Sequence, residues 1–165
     1  MKSRIMVVGE SDVFSVEFCK YLIAKDLEVY LVIRKNQDLS KFKEIEKLIT
    51  VIKYNDDLDE IKFILKSIEP DFIYNLNGLQ HKDDFRDLIE KNYLRNILLL
   101  ESLTIFSDIV LINLIDRTER DDNGNPLNIY TAIVDSIKKV ALFYNDFYKV
   151  KTITKYKDEY RSIEI

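Results

Sequence analysis

The chain has 165 residues, the length of one ordinary domain. Hydrophobic residues make up 47% of it, with nine Phe and ten Tyr among them, so a packed core is expected and bulk disorder is excluded. The net charge of −4 comes from intermixed Lys, Arg, Asp and Glu with no basic stripe, which leaves nucleic-acid binding without electrostatic support and disfavours a membrane-surface role.

The chain opens with a short apolar run and lacks the longer apolar segment and small-residue cleavage site of a signal peptide. No stretch reaches the ~18 apolar residues of a membrane span, so a cytoplasmic protein is expected. The first strand is expected at Arg4–Val8 and ends at Gly9; a helix pattern at 13–25 follows Asp12. Cys19, the one cysteine, falls inside that helix. A single cysteine excludes an internal disulfide and a cysteine-based zinc site; Cys19 reads as a small buried hydrophobe, with a reactive thiol as the alternative. A strand at 28–33, a helix at 41–47, a strand at 48–54 and a helix at Leu58–Ile68 come next. Beyond them the pattern gives a strand at Phe72–Asn75, a long helix at 83–106 and a strand at 109–115. The turn cluster Asp121-Asp122-Asn123-Gly124-Asn125-Pro126 then leads into a helix at Ile129–Tyr148 and a strand at 150–154.

Most strands are continuous apolar runs, as strands covered on both faces require. Their alternation with helices predicts an α/β fold: one doubly wound parallel sheet, Rossmann-like, with strand order 3-2-1-4-5-6. It is expected to form one domain over residues 1–165, without a C-terminal substrate domain. Helices 83–106 and 129–148 carry apolar residues over a wider arc than one sheet contact needs. A partner surface explains the excess, and ordinary core plus incidental surface aromatics is the alternative.

Five segments carry a more specific pattern. Gly9 is followed by Asp12 and Ser15 at three-residue steps, and Asn75, Asn77 and Gly78 close the segment that begins Glu69-Pro70-Asp71. Downstream, Glu90-x-Asn92 leads into Leu99-Leu100-Glu101; Asn113, Leu114 and Ile115 end a strand; and Tyr130 opens the last long helix. In this order and spacing they resemble the extended short-chain dehydrogenases/reductases, the nucleotide-sugar epimerase and dehydratase group. That family carries Gly-x-x-Gly-x-x-Gly in the first turn, Glu-x-Asn-x-x-Gly-Thr-x-x-Leu-Leu-Glu on the helix, Ser/Thr at the strand end and Tyr-x-x-x-Lys beyond it.

The resemblance implies NAD or NADP at Gly9, Asp12, Ser15, Arg34, Asp56, Asp57, Asn75 and Asn77, no metal, and Tyr130 as the catalytic acid–base position. It also implies a dimer, homodimeric or heterodimeric, through helices 83–106 and 129–148. The departures oppose the chemistry. Asp12 replaces a glycine and is placed to cap the helix, taking amides that a pyrophosphate would need. Its charge would repel a phosphate ~5 Å away by ~3 kcal/mol at an effective dielectric of ~20. Ile33 stands where an acidic residue would hold the ribose; Arg34 offers either a 2′-phosphate contact or a solvated strand end. Asp56-Asp57 offers an adenine contact, or in Asp57 a helix cap. Val134 replaces the lysine, which would leave the Tyr130 phenol near ~10, a poor base at neutral pH. Lys138 lies ~12 Å along the helix, too far to substitute.

Three other candidates are a general base at His81, read first as a loop histidine, a reactive Cys19, and a cation cluster of Asp116, Asp121 and Asp122, read first as a turn. The expectation is a catalytically degenerate domain acting through protein contacts, by self-association or by pairing with an active relative. The alternatives are a reduced NAD(P)-dependent epimerase, dehydratase or reductase of nucleotide sugars, and a sensor of a small nucleotide or sugar phosphate.

Overall fold

A computed structural model describes residues 2–76 and 84–162. Its sheet has six parallel strands, β1 (Arg4–Val8), β2 (Glu28–Arg34), β3 (Thr50–Tyr54), β4 (Phe72–Asn75), β5 (Val110–Ile115) and β6 (Lys151–Tyr156), in the order β3-β2-β1-β4-β5-β6. The register runs Val8 beside Val32 and Asn75, and Asn75 beside Asn113, so these residues line up at one edge. The strand order reverses between β1 and β4, and in such sheets the ligand crevice opens outside the carboxyl ends of the strands at that reversal.

Helices cover both faces. On the front, α1 (Val13–Ala24) buries Phe18, Cys19 and Leu22 against Ile5, Val7, Leu31 and Ile33. On the back, α2 (Leu58–Ile68), α4 (Arg95–Leu103) and α5 (Ile129–Tyr148) bury Ile61, Leu65, Leu99, Leu103 and Ala141 against Met6, Val8, Ile73 and Leu111. Alternation along β5 follows the pleat, with Ile112 and Leu114 in the front cluster and Leu111 in the back one. Cys19 is fully buried and its thiol is pushed up to about 12 by loss of solvation, so the small-hydrophobe reading is the one the packing supports.

Three elements differ from the sequence expectation. The helix expected at 41–47 is reduced to a 3-10 turn at Ser40–Phe42, and β3 starts at Thr50 rather than at residue 48. Phe42, Ile45 and Ile49 reach the front core from successive turns without a continuous helix between them. The long helix is broken: one short turn α3 (Phe85–Asp87) and a π-helical segment Leu88–Leu94 precede α4. A π segment widens the helix locally, and such segments are frequent at functional sites; Arg95 is the first residue after it. Finally, β6 extends past residue 154 to Tyr156, and a C-terminal 3-10 turn (Lys157–Ser162) folds back over α1. There Tyr160 stands edge-on to Phe14, Phe18 and Tyr21, with ring centroids 5.7, 5.5 and 5.2 Å away.

Candidate functional site

The β1–α1 turn is closed on itself. Gly9 N–H donates to Val32 O, Ser11 N–H to Gln37 Oε1, Asp12 N–H to Glu10 O and Val16 N–H to Asp12 O. Asp12 is the helix N-cap, its Oδ1 accepting from Ser15 N–H at 2.7 Å, as its place in the sequence predicts. Lys41 Nζ donates to Ser11 O at 3.2 Å. Of the amides at the start of α1, Asp12 N–H and Ser15 N–H are therefore already held by protein acceptors. Gly9 serves packing: a Cβ there would meet Ser15 Oγ at 3.1 Å, so strand and helix touch at this point. Ser15 itself is buried, and its hydroxyl has no hydrogen-bond partner among the described residues.

Beyond the turn, the crevice holds a four-membered charge network. The Arg95 guanidinium, 5% exposed, places Nη1 3.1 Å from Glu10 Oε1 and Nε 3.2 Å from Asp56 Oδ1. Arg34 stands on the open side of the same two carboxylates, at 3.7 Å from Glu10 and 3.8 Å from Asp56. Signs alternate around the ring, and the charge-assisted bonds of Arg95 offset the cost of burying it. Beside the guanidinium lies a small apolar recess of about 10 Å³, walled by Met6, Val8, Val32, Ile61, Leu98 and Leu99. Tyr54 lines it too, its phenol held above its ordinary value by burial and by the Asp56 charge.

Glu10 and Arg95 carry this site, and the sequence reading missed both. A signal was present: Arg95 shares the i, i+4, i+8 stripe of Leu99 and Leu103, an inward-facing place for a charge, and it occupies the glycine position of the helix pattern. Arg34 belongs to the network, its guanidinium near both carboxylates and 27% exposed. Asp56 belongs to it as well, whereas Asp57 caps α2 by accepting from Glu60 N–H at 2.9 Å.

At the reversal point, three asparagines form a structural clasp. Asn75 Nδ2 donates to Asn96 Oδ1 at 2.7 Å and to Asn113 Oδ1 at 2.9 Å, and Asn96 Nδ2 donates to Asn92 O. All four residues are buried, so β4, β5 and α4 are tied together in a dry setting. Asn77, Gly78 and His81 lie outside the described residues.

Tyr130 is 2% exposed, and its hydroxyl donates to Asp116 O at 2.8 Å. One turn on, Val134 is equally buried, in a cluster with Leu88, Ile133 and Ile137. Burial, with the Asp116 charge adding to it, pushes the phenol above its ordinary value, which corrects the expectation of an unshifted tyrosine. The proposed cation cluster does not assemble. Asp116 faces Lys157 Nζ at 3.4 Å, while Asp121 accepts from Asn123 N–H and Asn125 N–H in a turn. Among the described residues no group of three metal-ligating side chains converges. Among the described residues no helix is long and apolar enough to cross a membrane.

No protein-family model matches the sequence, and no curated protein is similar to it. Solved structures do share the fold, which is that of a doubly wound Rossmann-type domain. The dTDP-glucose 4,6-dehydratase of Bacillus anthracis, in complex with NAD, superposes with a TM-score of 0.75 at 16% identity over 93% of this chain and 54% of its own. The UDP-glucose 4-epimerase of Brucella ovis, also with NAD, gives 0.78 at 12% identity, covering 93% and 51%. The Thermus thermophilus UDP-glucose 4-epimerase, again with NAD, gives 0.71 at 16%, covering 92% and 53%. The chain thus has the fold of one half of these nucleotide-sugar enzymes and spans about half their length.

Proposed function

We propose that this protein is a catalytically degenerate relative of the nucleotide-sugar epimerases and dehydratases that acts through protein–protein contact, with a second copy of itself as the partner. The observation that carries the reading is Tyr130: its hydroxyl is spent on a backbone carbonyl, it is buried, and a valine fills the next turn. A proton-transferring phenol needs access to a substrate and a nearby cation to lower its pKa. Tyr130 is 2% exposed, and Val134 stands one turn on, where the lysine would be.

The contact surface is the C-terminal half of α5. Leu142, Phe143, Phe147 and Tyr148 are exposed there, Phe147 to 71%. The Phe143 and Phe147 rings pack with centroids 4.7 Å apart, tilted by 31°, and Phe143 also meets the ring of Tyr144 at 5.8 Å. Aromatic clusters of this kind are enriched at interfaces, and the same helix was expected to associate from its sequence. At tens of micromolar, sedimentation equilibrium should give a dimer for the wild type and a monomer for Phe143→Ser/Phe147→Ser, with unchanged far-UV circular dichroism. A monomeric wild type rejects the surface.

The competing reading is an NAD-dependent enzyme with a reduced active site. The NAD complexes among the structures of like fold favour it, and the Asp12 carboxylate capping the first helical turn opposes it. A thermal shift decides: a dinucleotide at ~100 times its dissociation constant stabilises by ~2.7 kcal/mol.

A further inference from the structure

The residues of the crevice do not fit a dinucleotide. Its pyrophosphate would lie against the Asp12 carboxylate that caps the first turn, and its path away from the turn crosses a buried arginine. We propose that Arg95 is a built-in occupant of the nucleotide crevice, a side chain of the protein standing where a nucleoside would otherwise sit. This does not depend on self-association, because Arg95 points into the crevice and the exposed aromatics lie on α5.

The geometry supports it in three ways. Arg95 spans the crevice, joining Glu10 after β1 to Asp56 after β3, so one side chain fastens both walls. It stands against Met6, Val8, Val32, Ile61 and Leu98 and leaves only about 10 Å³ open among them, so its own side chain fills the apolar end of the crevice. Finally, both anchoring carboxylates are themselves held from outside by Arg34, so the arginine is braced on the open side as well. An arginine delivers a planar fork that meets two carboxylates at once, which a lysine at the same place would not reproduce.

The test compares the wild type with Arg95→Ala in thermal shift, with adenosine, NAD and methylguanidinium as probes. Adenosine is neutral, so the carboxylates left unpaired by the substitution do not repel it. Millimolar adenosine should leave the wild-type Tm unmoved and raise that of Arg95→Ala by roughly 3 °C or more. NAD should likewise leave the wild type unmoved. A wild type that answers either probe overturns the proposal, as does a folded Arg95→Ala that is equally silent to adenosine. Should Arg95→Ala fail to fold, methylguanidinium at tens of millimolar should restore it where sodium chloride at equal strength does not. Failure of that rescue also overturns the proposal.

Discussion

At the scale of single residues, two substitutions explain most of the site. Asp12 places a carboxylate at the first turn, and its own helix amide takes it up as a cap. Arg95 places a cation on an inward stripe, and the crevice closes around it. Asn75 shows the same economy in a dry setting, since both protons of its amide nitrogen have acceptors. Asn75→Leu should therefore destabilise by more than lost packing: it strands Asn96 Oδ1 and Asn113 Oδ1, at about 1–3 kcal/mol for each buried group left unpaired. Urea denaturation gives the value, and a loss below ~1 kcal/mol would mean that these oxygens find water.

At the scale of elements, the C-terminal 3-10 turn is the part with the least local reason to form. It is held from both ends of its own sequence. Arg117 pairs with Asp158 at 3.0 Å and Glu159 at 2.8 Å, Lys157 sits over the Phe14 ring, and Tyr160 closes the aromatic cluster on α1. The ion pairs of Arg117 are exposed and contribute little. Tyr160 is buried and carries the docking. Tyr160→Ala should cost roughly 3 kcal/mol, against less than ~1 kcal/mol for Arg117→Ala. Equal effects of the two, measured by chemical denaturation, would reverse the assignment of the energy. The π-helical stretch before α4 belongs to this scale too. It was invisible in a periodicity that reads straight through residues 83–106, because the apolar residues around it satisfy either winding.

At the scale of the whole molecule, several buried groups resist ionisation together. Cys19 is held from 9.0 up to about 12, and Tyr74 and Tyr144 from 10.0 up to about 12, in each case first by burial. A group whose folded pKa is raised stabilises the fold fully below its unfolded pKa and loses that contribution as pH climbs toward the folded one. Stability should accordingly hold to about pH 9 and fall progressively toward pH 12. The urea midpoint followed across that range checks it, with a flat profile as the contrary result. Replacing Cys19 by Ala should remove the earliest part of the decline.

Strand identities, the caps Asp12 and Asp57, and the order of the sheet were all legible in the sequence, because each depends on local spacing or on handedness that L-residues impose. So were the limits of α2 and α5, set by Asp57 and Asn128 at their starts. What only the tertiary structure decided is where charges meet. Glu10, Arg34, Asp56 and Arg95 come from four separate segments, and the Asn75–Asn96–Asn113 clasp from three. Spacing along a chain fixes which face a residue takes; it does not fix which distant residue will share that face's crevice, since that follows from the packing of sheet and helices as a whole.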